Sequence, residues 1–146
     1  MANGIADTDP TYALRDALIR PTVTPRAAIA DPKALGGLLR AIDVFESQTT
    51  TRIAPQLLAI LVQRPCEVRH AKWDQFDMEV SAWSIPAEVM KMRRPHHVPL
   101  PAQAMALLEE LRRITGSGVF LFSSLRSVKR PMSENTLNRA LRRMGY

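Results

Sequence analysis

The segment LLAILVQRPCEVRHAKW, residues 57–73, constrains the fold more than any other. Leu57, Leu58, Ile60 and Leu61 lie on most faces of a helix rather than on one stripe. A helix apolar nearly all round has to be enclosed, so the remaining elements must pack about this one. The run then meets Arg64 and, at once, Pro65. Proline has no N–H to donate and disfavours helix at the residue before it, so the helix is expected to end here with a permanent charge leaving the core. Such a charge is costly unless it has a partner or a task. Glu67, three residues on, is close enough to pair with the guanidinium and fix its direction. An ordinary ion pair at a helix junction would read the same way.

The rest of the chain supplies helices around that centre and a small sheet beside it. Residues 11–19 suit a short helix, and RPTVTPRAAIADP at 20–32, with three prolines, reads as an extended connector at the entrance to a domain. Asp31 and Pro32 make an N-cap and first-turn pair for a helix carrying Leu35, Leu38, Leu39, Ile42 and Phe45 at helical spacing up to Glu46. SQTTT at 47–51 is expected to be a loop, and Pro55 to mark the first turn or a kink of the central helix. After residue 73 the period shortens. Ala82 to Ile85 and residues 97–100 fit strands of an antiparallel meander with residues 88–97 as its central hairpin. Pro101 opens a helix with Met105, Leu107, Leu108 and Leu111 that ends at Gly116. GVFLFSS at 118–124 is a short apolar strand or buried turn. Ser133 caps a last helix with Leu137, Leu141 and Met144 inward and Arg139, Arg142 and Arg143 outward. The expected class is α+β, mainly α-helical, with a small three-stranded antiparallel sheet.

Several functional classes are disfavoured. No stretch approaches the roughly 20 apolar residues of a membrane helix, and MANGIADTDP has neither the basic start nor the apolar segment of a secretory leader, so a cytoplasmic location with no membrane partner is expected. The single cysteine, Cys66, gives no disulfide and no thiolate set for zinc. His96 and His97 are adjacent, and on a strand they point to opposite faces, which argues against a shared metal; no cofactor is expected. The charge is positive, 20 Lys and Arg against 14 Asp and Glu, for a net of +6. Only Lys33, Lys72, Lys91 and Lys129 are lysines. Guanidinium grips phosphate through paired hydrogen bonds, so an arginine-rich chain suits nucleic acid. Lys91, beside Arg93 and Arg94 in EVMKMRRPHHVPL, sits where a hairpin would lay basic side chains along a nucleic-acid groove.

Taken together, RPCEVRHAKWDQFD, the stretch AWSIPAEVMKMRRPHHVPL, LLEELRRITGSGVFLFSS and MSENTLNRALRRMGY closely resemble the tyrosine recombinases, specifically the phage-type integrases of prophages and genomic islands. The likeness runs from about residue 26 to the end. Its specific marks are an Arg-Pro-x-Glu-x-Arg box followed by a Trp-Asp-x-x-Asp turn, and a lysine-bearing hairpin ending in His-x-Val-Pro-Leu. The resemblance implies that Arg64 is the first catalytic arginine, Glu67 the acidic residue supporting it, and Lys91 the lysine that protonates the leaving oxygen. On charge and placement, Arg69, Arg93, Arg94 and Lys129 are expected to contact the DNA backbone. The implied partner is double-stranded DNA at attachment sites, with a tetramer on DNA for an intact parent and a monomer for this piece.

The resemblance also implies a His-x-x-Arg box, a further His or Trp, and a nucleophilic tyrosine beyond RRMGY. Tyr146 corresponds to a residue ahead of that box and is expected to pack, and Tyr12 sits in the N-terminal arm. Cys66 stands where relatives usually place glycine, which could shift the backbone of Arg64; Gln63 is a milder departure. Residues 1–25 are thus expected to be a linker and tail of a core-binding domain, and 26–146 the N-terminal portion of a catalytic domain. The expected behaviour is weak, sequence-tolerant DNA binding without strand cleavage. A non-catalytic basic DNA-binding module would explain the charge but not the Arg64–Glu67 box or the Lys91 hairpin. A structural or interaction protein would scatter its basic residues with no continuous patch. The integrase reading requires Arg64 and Lys91 to converge on one concave cationic surface.

Overall fold

The computed structural model describes Thr11 and residues 28–90, 93–124 and 126–146. The expected N-terminal helix beyond Thr11, most of the connector and Lys91 lie outside the described residues.

The first helix, α1, spans Pro32–Asp43 and starts as its sequence dictates: an Asp31 carboxylate oxygen accepts the Ala34 N–H at 2.7 Å, and proline occupies the first turn. It ends at Asp43, three residues short of the expected end, with Val44 as its C-cap, yet Phe45 remains buried, with the Arg143 guanidinium 5.2 Å from its ring centroid. The central helix α2, Thr49–Leu61, begins inside the segment expected to be a loop. Pro55 lies in its interior, neither at its first turn nor exposed. The ring is buried beside Ile53, Ala54 and Leu57, packing that offsets the missing backbone hydrogen bond. As required of a helix apolar on most faces, α2 contacts α1, α4 (Ala102–Thr115), α5 (Glu134–Arg143) and the short helix that follows it.

How α2 ends departs from expectation in a way that matters for the site. The helix closes at Leu61 because Val62 turns left-handed, at φ 52° and ψ 34°, while its N–H still reaches the Leu58 carbonyl. Gln63 then leads to Arg64, which is the N-cap of a separate six-residue helix, α3, Pro65–His70. The charge is therefore carried by the start of a new helix, not by the end of the core helix.

The sheet is an antiparallel meander in the order β1–β2–β3, from Phe76–Asp77, Ala82–Ile85 and His96–Pro99. Trp83 faces Val98 across the ladder, is fully buried, stacks on Phe76 with ring centroids 5.1 Å apart, and donates from Nε1 to Gln75 at 3.2 Å. The expected hairpin is present as the antiparallel β2–β3 pair, from Ala82 opposite Pro99 to Ile85 opposite His96, but among the described residues of 88–97 only His96 and His97 are in a strand, and a 3₁₀ turn, Ala87–Val89, follows β2. In α4, Ala104, Leu108 and Leu111 are buried, and the Thr115 carbonyl accepts the Trp73 indole N–H at 3.0 Å, which joins the helix to the sheet's approach. Leu121 and Phe122 are core residues, but the segment continues into a two-stranded ladder, β4 (Ser123–Ser124) with β5 (Ser127–Pro131), which the sequence pattern did not announce. In α5, Leu137 and Ala140 are buried, with Arg139, Arg142 and Arg143 exposed as expected. Among the described residues no helix is long and apolar enough to cross a membrane.

Candidate functional site

Arg64 has extended backbone, φ −68° and ψ 141°, and is followed by proline at the first helical position of α3. Arginine offers no acceptor for the helix's free N–H groups, so it makes no side-chain cap. The stabilisation runs the other way. One carboxylate oxygen of Glu67 accepts the Arg64 backbone N–H at 3.1 Å, and the other accepts from Nη1 of its guanidinium at 2.7 Å. One buried carboxylate thereby fixes both the backbone and the head group of a single residue. The Glu67 side chain is 4% exposed and that of Arg64 is 54% exposed, so the pair points outward from a rigid base. Both oxygens of this buried carboxylate are satisfied, one by a backbone N–H and the other by a charged donor.

Beyond that ion pair, the Arg64 guanidinium has no further partner among the described residues, leaving N–H donors free. It lines an open depression of about 360 Å³ together with Val62, Gln63, Glu67, Met90 and His96. Preorganised guanidinium N–H donors at such a surface are the chemistry that holds a phosphate's non-bridging oxygens. No group of three or more His, Cys, Asp and Glu placed to hold a metal occurs among the described residues.

The other sequence-derived candidates are distributed differently. Arg69 is half-buried, and its Nη1 donates to the Met132 carbonyl at 2.8 Å, which ties α3 to the residue ahead of the α5 cap. Arg93 and Arg94 are exposed on the connection between β2 and β3, and Lys129 is exposed on β5. None of these four lines the Arg64 depression. Lys91 lies outside the described residues; Met90, its neighbour in sequence, lines the depression. Cys66 is exposed and lines a neighbouring groove of about 660 Å³ with His70, so its side chain has room while Arg64 keeps ordinary extended backbone. Tyr146 packs toward α1, its hydroxyl 3.0 Å from where a Cβ on Gly37 would sit.

Two features escaped the sequence reading. His96 shares the depression with Arg64, which strand alternation could have suggested had the buried face of β3 been assigned. A polar recess of about 410 Å³ gathers Thr50 and Thr51 of α2, Ser124 and Arg126 around the β4–β5 turn, and Asn135 and Arg139 of α5. It is assembled from three distant segments and leaves no local sequence signal.

Comparison with known proteins is consistent with this geometry. Residues 31–146 match the phage integrase family. The integrase of Enterobacteria phage P4 is 40% identical over 120 residues, covering 74% of this chain and 27% of its own length. The prophage integrase IntA of Escherichia coli strain K12 is 33% identical over 142 residues, covering 97% of this chain and 34% of its own. The crystal structure of XerA recombinase superposes with a TM-score of 0.60 at 18% identity, over 79% of this chain and 41% of that one. The chain thus spans between about a quarter and two-fifths of the proteins it matches.

Proposed function

Because the chain belongs to the phage integrase family of tyrosine recombinases, we propose that it supplies the phosphate-gripping part of an integrase catalytic domain. The intact protein would break and rejoin double-stranded DNA at attachment sites through a covalent phosphotyrosine. The observation that carries this reading is the outward Arg64 guanidinium held by a buried Glu67.

In that reaction a tyrosine oxygen bonds to phosphorus while the bond from phosphorus to the 5′-oxygen breaks. Negative charge grows on the non-bridging oxygens at the transition state. A guanidinium already fixed in direction stabilises that charge without reorganising, a contribution of about 3 kcal/mol for one such donor. Lys91 is assigned the proton that the departing 5′-oxygen takes up, and the 5′-hydroxyl returns it on rejoining. Arg93, Arg94 and Lys129 are assigned to backbone phosphates, joined by Arg126 and Arg139 of the polar recess. Arg69 contributes chiefly through its bond to Met132.

Residues 26–146 then form the N-terminal portion of the catalytic domain, and residues 1–25 a tail from a core-binding domain. The 146 residues contain no His-x-x-Arg. For the polypeptide by itself we propose a monomeric, non-cleaving state, with tetramer assembly on DNA belonging to the intact integrase. The test has two arms. Incubation with a nicked duplex that traps covalent intermediates gives no protein–DNA adduct, and an adduct overturns the assignment. Fluorescence anisotropy gives weak binding, tolerant of sequence, whose logarithm falls with log salt at a slope of about −5, the value for the roughly six phosphates assigned to Arg64, Arg93, Arg94, Arg126, Lys129 and Arg139. No binding at low salt overturns it as well.

A further inference from the structure

The Arg64–Glu67 pair is directional but carries no net charge, since the carboxylate that orients the guanidinium also neutralises it. An anion entering the depression meets one guanidinium and one buried carboxylate, so a further donor on the rim would strengthen the hold on it. Among the described residues six line the depression, and they narrow the choice. Val62 and Met90 offer no donor to an anion. Gln63 spends one of its two amide N–H donors on the Leu61 carbonyl, at 3.0 Å, which ties its side chain to the backbone. Of these side chains only His96 remains an untied donor.

The strand explains why His96 and not its neighbour is in place. β3 pairs with β2 through Ile85 opposite His96, Ser84 opposite His97 and Trp83 opposite Val98. Side chains two apart share a face, so His96 lies on the face of Val98, which is buried against the helices, while His97 lies on the other. His97 is engaged there, its Nδ1 2.9 Å from the Ser84 hydroxyl. His96, at the strand's first position, has no hydrogen-bond partner among the described residues and reaches the rim where Arg64 stands.

We infer that His96 is a second phosphate-contacting residue of this site, its imidazole N–H donating to the same DNA phosphate that Arg64 grips. The inference rests on the reading that the depression receives a DNA phosphate. Arg64 supplies the fixed charge and His96 closes the site from the sheet side, so that the phosphate is clamped between the start of α3 and the start of β3.

Nuclear magnetic resonance on the whole 146-residue chain separates the two propositions. The chain is titrated with a short random-sequence DNA duplex while the Arg64 Nε and the His96 and His97 ring nitrogens are followed. Both Arg64 and His96 shift along one saturating curve, and His97, on the opposite face, serves as the internal reference. Movement of Arg64 with a silent His96 overturns the inference and leaves the phosphate reading standing. Silence at both positions overturns the two together. In parallel, His96→Ala weakens duplex binding about fivefold to tenfold at unchanged melting temperature, and His96→Lys restores it, the size expected for one charge-assisted hydrogen bond at an open site. Wild-type affinity in His96→Ala, or no recovery in His96→Lys, overturns the inference.

Discussion

Replacing Glu67 by alanine tests whether Arg64 is held from below. The carboxylate accepts two hydrogen bonds, to the Arg64 N–H at 3.1 Å and to Nη1 at 2.7 Å. Neither loss is borne entirely by the fold, because Arg64 is exposed and both of its donors can turn to water. The backbone bond is thus worth about 1 kcal/mol and the half-exposed ion pair about 0.5–1 kcal/mol. Removal of the buried side-chain methylene adds about 0.8 kcal/mol, and relief of a desolvated carboxylate subtracts a comparable amount. The net destabilisation is about 2 kcal/mol, which for a domain of this size lowers the melting temperature by about 4–8 °C. Arg64→Ala should be the worse substitution, by about 1 kcal/mol, since it strands a charge in a site that is 4% exposed. Adding Glu67→Ala to Arg64→Ala should then restore stability rather than reduce it further. Thermal melts followed by far-UV circular dichroism, with urea unfolding as a second measure, give all four corners of the cycle. A Glu67→Ala melt within about 1 °C of the parent, or an Arg64→Ala variant milder than Glu67→Ala, would refute the claim that the carboxylate holds the guanidinium.

Val62 is 84% exposed yet left-handed, at φ 52° and ψ 34°. Val62→Gly removes the clash of a branched Cβ with its own backbone and should stabilise the chain by about 1 kcal/mol in urea unfolding; a loss of stability would mean that the turn is not strained. Arg69 is bonded to the Met132 carbonyl, so Arg69→Met should cost about 1 kcal/mol and speed amide exchange in the first turn of α5, with the salt slope of DNA binding unchanged. A slope shallower by about 1 would instead make Arg69 a phosphate contact.

What could be read from the sequence was set by how far each cause reaches along the chain. The start of α1 was legible because Asp31, Pro32 and the Ala34 N–H lie within one turn. The Arg64–Glu67 pair was legible for the same reason, being three residues apart. The break after Leu61 was misplaced because left-handed helix ends are ordinarily marked by glycine, and here the position holds valine, a residue with no such signal. The helical start at Thr49 was missed because a run of threonines reads as loop by propensity, while burial of Ile53 and Leu57 on the same helix overrides it. The β5 segment SVKRP shows no alternation of apolar and polar residues, and it is a strand only because β4 stands beside it. The same limit governs the site. Arg64 sits at a loop end whose position depends on where α2 breaks, and His96 reaches it only because β3 pairs with β2 in a register that turns His96, not His97, toward the helices. A one-residue slip of β3 would present His97 to Arg64 instead. The pairing of Val98 with the buried Trp83 prevents that slip, so the residue that most firmly sets which histidine meets the depression is a tryptophan in the core.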